Sequence, residues 1–139
     1  MVVAVLWSGG TVITTSSLRP IRWIQLIDKY HVDHIYALPT KLRLLVRHCK
    51  SKLDSISYII GGSQVLDRQL MEQLELICPN MEFILYYGAS ELNYITYCTG
   101  KEWLDREGTV GRPFPSVIIA EQNGVIYVTT KHHIEGIPD

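Results

Sequence analysis

The sequence predicts an α/β fold, with a mainly parallel sheet built from βαβ units with flanking helices and a short antiparallel β appendage at the C-terminus. Three observations predict it. Short apolar, β-branched or aromatic runs begin at residues 11, 34, 57 and 82. Amphipathic segments of helix length separate these runs, which is the spacing of right-handed βαβ units. The last third of the chain instead carries Asn123–Gly124 between two apolar runs, a strong hairpin signal.

The four runs are predicted strands, and the segments between them are predicted helices. Pro20 and Pro39 suit the first turn of a helix, where the missing N–H costs nothing. Asp67 is a candidate N-cap, and Pro79 a stop for the same helix. The predicted strands are Thr11–Thr14, His34–Leu38, Ser57–Ile60 and Glu82–Tyr86, and the apolar helix faces are Trp23, Ile24, Ile27 and Tyr30, then Leu42, Leu45, Val46 and Cys49, then Leu66, Leu70, Leu74 and Ile77.

The C-terminal third has a different pattern. Three further strands are expected at Tyr94–Cys98, Val117–Glu121 and Val125–Thr129, with Gly108–Pro115 as a connector. We therefore predict a central nucleotide-binding α/β subdomain over residues 1–108. Residues 109–139 are predicted to be a linker and the start of a small β subdomain.

Composition excludes several classes of protein. The 139 residues are 47% hydrophobic and 19% charged, so the chain is not disordered. Thirteen Lys and Arg against fourteen Asp and Glu give a net charge of −1, which weighs against a nucleic-acid partner. The longest apolar run, Met1–Trp7, is too short to span a bilayer. Three widely spaced cysteines indicate reduced thiols rather than a disulfide framework. From the short apolar run and the reduced thiols together, we expect a cytoplasmic protein without a transmembrane segment.

Glycines and hydroxyls follow the predicted parallel strands at the edge where such sheets bind ligands. Leu38–Thr40 follows the second strand, Gly61-Gly62-Ser63 the third and Gly88-Ala89-Ser90-Glu91 the fourth. Glycine lets a ligand approach the backbone, and N–H groups and hydroxyls suit phosphate oxygens. Glu91 offers an oxygen ligand for Mg²⁺. This set of residues is typical of a nucleotide site.

Simpler interpretations of the same residues remain open. Gly61-Gly62 is also compatible with a plain turn, and Ser90-Glu91 with a helix cap. Tyr86 and Tyr87 alternate faces of a strand, so at least one of them is expected in the core. The stretch from Gly88 also begins like the nucleophile elbow of a serine hydrolase, although Leu92 stands where that motif has glycine. A serine hydrolase using Ser90 and a non-catalytic nucleotide-binding or interaction module are therefore alternatives.

Taken together, four motifs in order resemble the AMP-forming acyl-CoA synthetases, the superfamily of adenylate-forming enzymes. They are Leu38-Pro39-Thr40, Gly61-Gly62-Ser63, Tyr86-Tyr87-Gly88-Ala89-Ser90-Glu91 and Val110-Gly111-Arg112-Pro113. The resemblance implies an ATP-dependent acid–thiol ligase that adenylates a carboxylic acid, with a fatty acid expected, and then transfers the acyl group to coenzyme A. ATP and Mg²⁺ would be the cofactors and coenzyme A a co-substrate.

The resemblance also implies roles for individual residues. Gly61, Gly62 and Ser63 would lie along the adenine edge, and Tyr87 would stack on its face. Ser90 would bind the α-phosphate and Glu91 would hold Mg²⁺, which makes these two the candidate catalytic residues. The remaining implied members are Gly88 and Ala89 for the nucleotide, and Gly62, Ser63, Tyr94 and Ile95 for an acyl channel.

Some parts of the family pattern are not found in this sequence. These are the phosphate loop expected upstream, and the ribose-binding Asp and catalytic Lys expected downstream. We therefore expect a central fragment of a longer enzyme whose N- and C-terminal parts lie elsewhere. The isolated chain is expected to be inactive, and faces that the other parts would cover are expected to make it self-associate.

Overall fold

A computed structural model describes residues 2–62 and 64–131. The five-stranded sheet has the order β1-β2-β3-β4-β5, and β6 and β7 form a separate two-stranded sheet. The elements are α1 (Val2–Trp7), α2 (Pro20–Tyr30), β1 (His34–Tyr36), α3 (Pro39–His48), β2 (Tyr58–Gly62), α4 (Arg68–Ile77), β3 (Glu82–Ala89), β4 (Asn93–Thr99), α5 (Gly100–Asp105), β5 (Arg112–Pro113), β6 (Val117–Gln122) and β7 (Val125–Thr130).

The predicted α/β class is confirmed, and the main sheet has a parallel half and an antiparallel half. Strands β1, β2 and β3 pair in parallel through the helices between them. Strand β4 returns from β3 in an antiparallel hairpin, and β5 pairs antiparallel with β4. The short appendage is the β6–β7 hairpin, whose turn places Asn123 and Gly124 at φ 54° and 78°. Positive φ at both central residues is the type I′ geometry that an Asn-Gly pair favours.

The core lies between one face of the main sheet and helices α2 to α5. Sheet residues Ile59, Phe83 and Cys98 lie in one buried cluster with side chains of all four helices. Helices α2, α3 and α4 each turn an apolar stripe toward this cluster, as the sequence periodicity predicts, and α5 contributes Trp103. The helical members are Ile27, Leu42, Leu45, Leu70, Met71, Leu74 and Trp103.

The predicted helix starts are confirmed. Pro20 and Pro39 are the first residues of α2 and α3. Asp67 caps α4, because its side chain accepts a hydrogen bond from the Leu70 N–H at 2.8 Å. Arg43 of α3 pairs with the same carboxylate, so the cap also joins two neighbouring helices. The Leu70 N–H and then Arg43 hold the pKa of Asp67 below its ordinary value.

The prediction of a strand at Thr11–Thr14 is wrong. Residues 10–19 form neither helix nor strand, and Ile13 is exposed. A β-branched run forms a strand only where a neighbour can complete its hydrogen bonds. Strand β1 is the edge of the sheet and pairs only with β2 among the described residues. Local propensity alone therefore does not order this segment as a strand.

Two short helices were missed, and one had a visible signal. Helix α5 begins with a capping box in which Thr99 and Glu102 bind each other's backbone N–H groups. This is the Ser/Thr-x-x-Glu pattern. The apolar segment at the start of the chain forms α1, which has no buried residue. No helix in the described part of the chain has the length and apolar character needed to cross a membrane.

The connector at Gly108–Pro115 is tied to the main sheet. Gly111 has φ 80°, and a Cβ there would lie 2.0 Å from the Tyr97 carbonyl oxygen, so only glycine fits. Arg112 pairs with Glu102 and lies over the Tyr97 ring at 4.8 Å. Since β5 still belongs to the main sheet, the division between residues 1–108 and 109–139 stays a prediction.

Candidate functional site

A tight hairpin turn presents Ser90 and Glu91 to solvent. The Leu92 N–H donates to the Ala89 carbonyl at 3.3 Å, which closes a four-residue turn with Ser90 and Glu91 at its centre. Asn93 follows with φ 63°, and Ala89 pairs with Asn93 across the hairpin. A turn followed by a left-handed residue is a common hairpin connection. Both central side chains are exposed.

This geometry excludes two interpretations of the segment. Ser90 and Glu91 do not cap a helix, because strand β4 follows them directly. For the same reason Ser90 is not on a nucleophile elbow, which requires a strand, a turn and a helix. The serine hydrolase alternative is therefore wrong.

The glycines of the motifs lie at the ends of β2 and β3 rather than in the loops beyond them. Both strands run further than predicted, to Gly62 and to Ala89. Strand β3 is extended by its antiparallel pairing with β4. Gly61 and Gly62 pair with Leu85 and Tyr86, so the two motifs are adjacent in space. The loop after β2 also contacts the start of α3, since the Thr40 N–H donates to Gln64 Oε1 at 3.2 Å. Three strand ends that are distant in sequence thus share one edge of the sheet. Ser63 lies outside the described residues.

Tyr86 and Tyr87 have opposite surroundings. The Tyr87 ring is 54% exposed at the carboxyl end of β3, where a flat ligand can cover it. The Tyr86 ring lies on the other face of the sheet and contacts Tyr36 and Tyr94. Tyr87 is therefore the candidate for stacking, and Tyr86 belongs to an aromatic cluster.

Three tyrosines meet beside Gly62, a feature that the sequence analysis missed. The hydroxyls of Tyr36 and Tyr86 lie 2.6 Å apart, and their rings are nearly parallel. Tyr94 meets the Tyr86 ring edge-on, with centroids 5.0 Å apart. The hydrogen bond with Tyr86, and then burial, raise the pKa of Tyr36 well above its ordinary value. The Tyr36 hydroxyl therefore stays protonated at neutral pH. The only signal in the sequence is that each of these tyrosines lies within a predicted strand.

The two residues predicted to line an acyl channel differ in exposure. Tyr94 pairs with Gly88, and Thr96 pairs with Tyr87, which leaves Ile95 as the extra residue of a bulge. Ile95 is only 4% exposed. A bulge re-aims the side chains around it. In this hairpin, the bulge at Ile95 lies directly beside Tyr94, whose ring contacts that of Tyr86.

The donor set at the turn fits a magnesium ion only together with a phosphorylated ligand. Glu91 is the carboxylate available at the strand ends, and the described residues contain no cluster of three metal-ligating side chains. Mg²⁺ is usually held by one or two carboxylates plus waters and substrate phosphates. A single exposed carboxylate matches that mode of binding, not a cage made of protein ligands alone.

A protein-family model described as "AMP-binding enzyme" matches residues 1–128. The chain belongs to the AMP-binding enzyme family. This confirms the resemblance to adenylate-forming acyl-CoA synthetases, since the match covers all four motifs. The curated relatives are consistent with it, although the chain spans only about a quarter of their length.

Two curated relatives of this AMP-binding chain are bacterial. An uncharacterized acyl–CoA ligase of Bacillus subtilis, YhfT, is 26% identical over 121 residues, which are 87% of this chain and 25% of the relative. VraA of Staphylococcus epidermidis, provisionally named a long chain fatty acid-CoA ligase, is 27% identical over 114 residues, with 79% and 24% covered.

Solved structures show the same fold. O-succinylbenzoate coenzyme A synthetase from Bacillus subtilis matches with a TM-score of 0.80 at 20% identity, over 95% of this chain and 31% of that chain. A luciferase-like enzyme from the mealworm Zophobas morio matches with a TM-score of 0.81 at 16% identity, over 95% and 36%.

Proposed function

We propose that this AMP-binding chain forms the nucleotide-binding centre of an ATP-dependent ligase that activates a carboxylic acid and transfers it to coenzyme A. The acid would attack the α-phosphate of ATP and release pyrophosphate, and the coenzyme A thiolate would then displace AMP from the acyl-adenylate. The observation that carries the proposal is the gathering of the Gly61-Gly62 pair, Tyr87 and the Ser90-Glu91 turn at one edge of the sheet.

Each member of the site would make a distinct contact with the nucleotide. Tyr87 would stack on the adenine, while Gly61, Gly62 and Ser63 would lie along the edge of the base. The Ser90 hydroxyl would donate a hydrogen bond to the α-phosphate. Gly88 and Ala89 would let the phosphates approach the backbone closely, because their side chains are absent or small.

Glu91 would hold the magnesium ion of the Mg–ATP complex. The ion supplies neutralisation of phosphate charge, which together with positioning is the main requirement of phosphoryl chemistry. The Glu91 carboxylate is exposed and has no hydrogen bond or ion pair within the described residues, so it needs no rearrangement to bind. O-succinylbenzoate coenzyme A synthetase has been solved in complex with ATP and magnesium ion, which supports the assignment by fold.

A fatty acid is the substrate predicted from the sequence, and the name of VraA supports it. Gly62, Ser63, Tyr94 and Ile95 would line the acid channel. O-succinylbenzoate coenzyme A synthetase shares the fold and acts on a different acid, so the fold admits other choices. A cytoplasmic location is part of the proposal, because the three widely spaced cysteines indicate reduced thiols.

The test is ATP–pyrophosphate exchange by the full-length protein that carries this chain, with a panel of carboxylic acids. Glu91→Gln keeps the shape of the side chain and removes its charge, so exchange should fall by about 10²–10³. Glu72→Gln is the control, because Glu72 is an exposed glutamate on α4. A Glu91→Gln variant as fast as the wild type would refute the site assignment.

The same experiment separates the remaining alternative. The 139-residue chain alone should show no exchange, because the phosphate loop, ribose Asp and catalytic Lys are not in its sequence. A non-catalytic nucleotide-binding module would bind ATP and show no exchange even at full length. Turnover by the 139-residue chain alone would contradict the expectation that catalysis requires the phosphate loop, ribose Asp and catalytic Lys.

A further inference from the structure

We propose that Tyr36, Tyr86 and Tyr94 form the end wall of the acid channel and select compact acids whose tail carries a hydrogen-bond acceptor over long unbranched fatty acids. The inference rests on the proposed function, because it takes Gly62 and Tyr94 to line the channel, and it replaces the long-chain fatty acid that the name of VraA suggests with a compact acid. These three residues are called the tyrosine wall below.

The tyrosine wall fills the space that Gly62 leaves open. A Cβ on Gly62 would lie 2.7 Å from the Cε1 and Cζ atoms of the Tyr86 ring. That distance is shorter than any ordinary contact, so the ring lies directly on the glycine. Tyr94 closes the adjoining side, with its ring at 87° to that of Tyr86. An alkyl chain running past Gly62 would have to displace the Tyr86 ring.

The Tyr86 ring is held where it is. Its hydroxyl lies 2.6 Å from that of Tyr36, and the two rings are parallel to within 8°. The two residues come from β3 and β1, with β2 between them. They reach across β2 where Gly62 has no side chain. Displacing Tyr86 would break this hydrogen bond and both ring contacts.

The wall is also polar. Three phenol hydroxyls carry three hydrogens; the contact between Tyr36 and Tyr86 uses one of them, and the interaction between Tyr36 and Tyr94 uses a second. The third O–H is available to a ligand, and Tyr36 is half exposed. An acceptor at the tail of the acid would satisfy this donor. A methyl terminus would leave it unpaired and buried, which is the arrangement that sites discriminate against.

The experiment measures kcat/KM for pyrophosphate exchange by the full-length protein with two matched sets of acids. The first set is butanoate, octanoate and hexadecanoate, which differ only in chain length. The second is 4-hydroxybenzoate and 4-methylbenzoate, which have nearly the same shape. We expect the wild type to prefer butanoate to hexadecanoate and 4-hydroxybenzoate to 4-methylbenzoate, the latter by about 3- to 10-fold.

Two variants separate the steric and the polar parts of the wall. Tyr86→Ala should raise the hexadecanoate-to-butanoate ratio by at least about 10-fold, because it opens the space beside Gly62. Tyr36→Phe keeps the ring and removes the hydroxyl, so it should abolish the preference for 4-hydroxybenzoate. Tyr58→Phe is the control on the same sheet face, where Tyr58 stacks on His34, and it should change neither ratio.

The possible failures are distinguishable. Equal use of hexadecanoate and butanoate by the wild type would overturn the inference and leave the proposed function intact. An unchanged length profile in a folded Tyr86→Ala variant, or an unchanged ring preference in Tyr36→Phe, would do the same. Exchange with no acid of a broad panel would refute the proposed function, and the inference with it.

Discussion

Replacing Tyr87 by alanine tests the adenine site directly. The ring is 54% exposed at the end of β3, so its removal leaves the core cluster intact. A tyrosine buries about 150–250 Å² when fully covered. Tyr87 is 54% exposed, and one of its two ring faces accounts for half of that exposed area, which is about 40–70 Å². At about 25 cal/mol per Å², covering that face with a base contributes about 1–1.7 kcal/mol. Base–aromatic stacking is measured at about 1–3 kcal/mol, which agrees.

We therefore expect Tyr87→Ala to raise the Kd for ATP by about 5- to 20-fold, since 1.4 kcal/mol is about tenfold. The assay is calorimetric titration of the full-length protein with Mg–ATP. Tyr127→Ala is a matched control, because Tyr127 is 53% exposed and lies on β7. Thermal unfolding of both variants checks that they are folded. An unchanged Kd for Tyr87→Ala would refute the stacking role.

Two further predictions concern the stability of the fold and its thiols. Asp67→Ala should lower the free energy of unfolding by about 1–2 kcal/mol in urea titration, because it removes the α4 cap and an exposed ion pair. The folded-state pKa of Asp67 is lowered, so this carboxylate stabilises the folded state fully above about pH 4, and its contribution is lost as the pH falls through the folded pKa. The variant should lack this pH-dependent part of the free energy of unfolding. Burial raises the pKa of Cys78 to about 12 and also raises that of Cys98, so iodoacetamide at pH 8 should alkylate only Cys49 in the folded chain and all three cysteines in denaturant. Rapid alkylation of Cys78 without denaturant would contradict the packing described here.

The sequence predicts the elements whose signals are local. Helix α4 is an example, since Asp67, the apolar stripe and Pro79 fix its start, face and end within one segment. The β6–β7 hairpin is another, because Asn123–Gly124 alone selects the turn. The signals that mark both elements are local, even though α4 packs into the shared core. Such elements can be placed from one sequence.

Elements whose existence depends on distant neighbours were harder to predict. The run at Thr11–Thr14 has strand propensity but no paired neighbour in the described structure, so it is not a strand. Strand β3 runs three residues beyond its predicted end because β4 folds back on it. The contact between Tyr36 and Tyr86 joins residues 50 apart in sequence. No periodicity in the sequence marks that contact.

The hairpin between β3 and β4 shows how fold and chemistry divide the residues of one motif. A Cβ on Gly88 would lie 2.2 Å from the Asn93 carbonyl oxygen, so the return of the chain requires glycine there. Asn93 adopts the left-handed conformation that asparagine tolerates best after glycine. Ser90 and Glu91 make no such contact, and their side chains point away from the hairpin into solvent. A substitution at Gly88 would therefore disturb the turn and the site together. Within the turn, substitutions at the two central residues separate the chemistry from the folding, which is why Glu91→Gln is the decisive variant for the metal site.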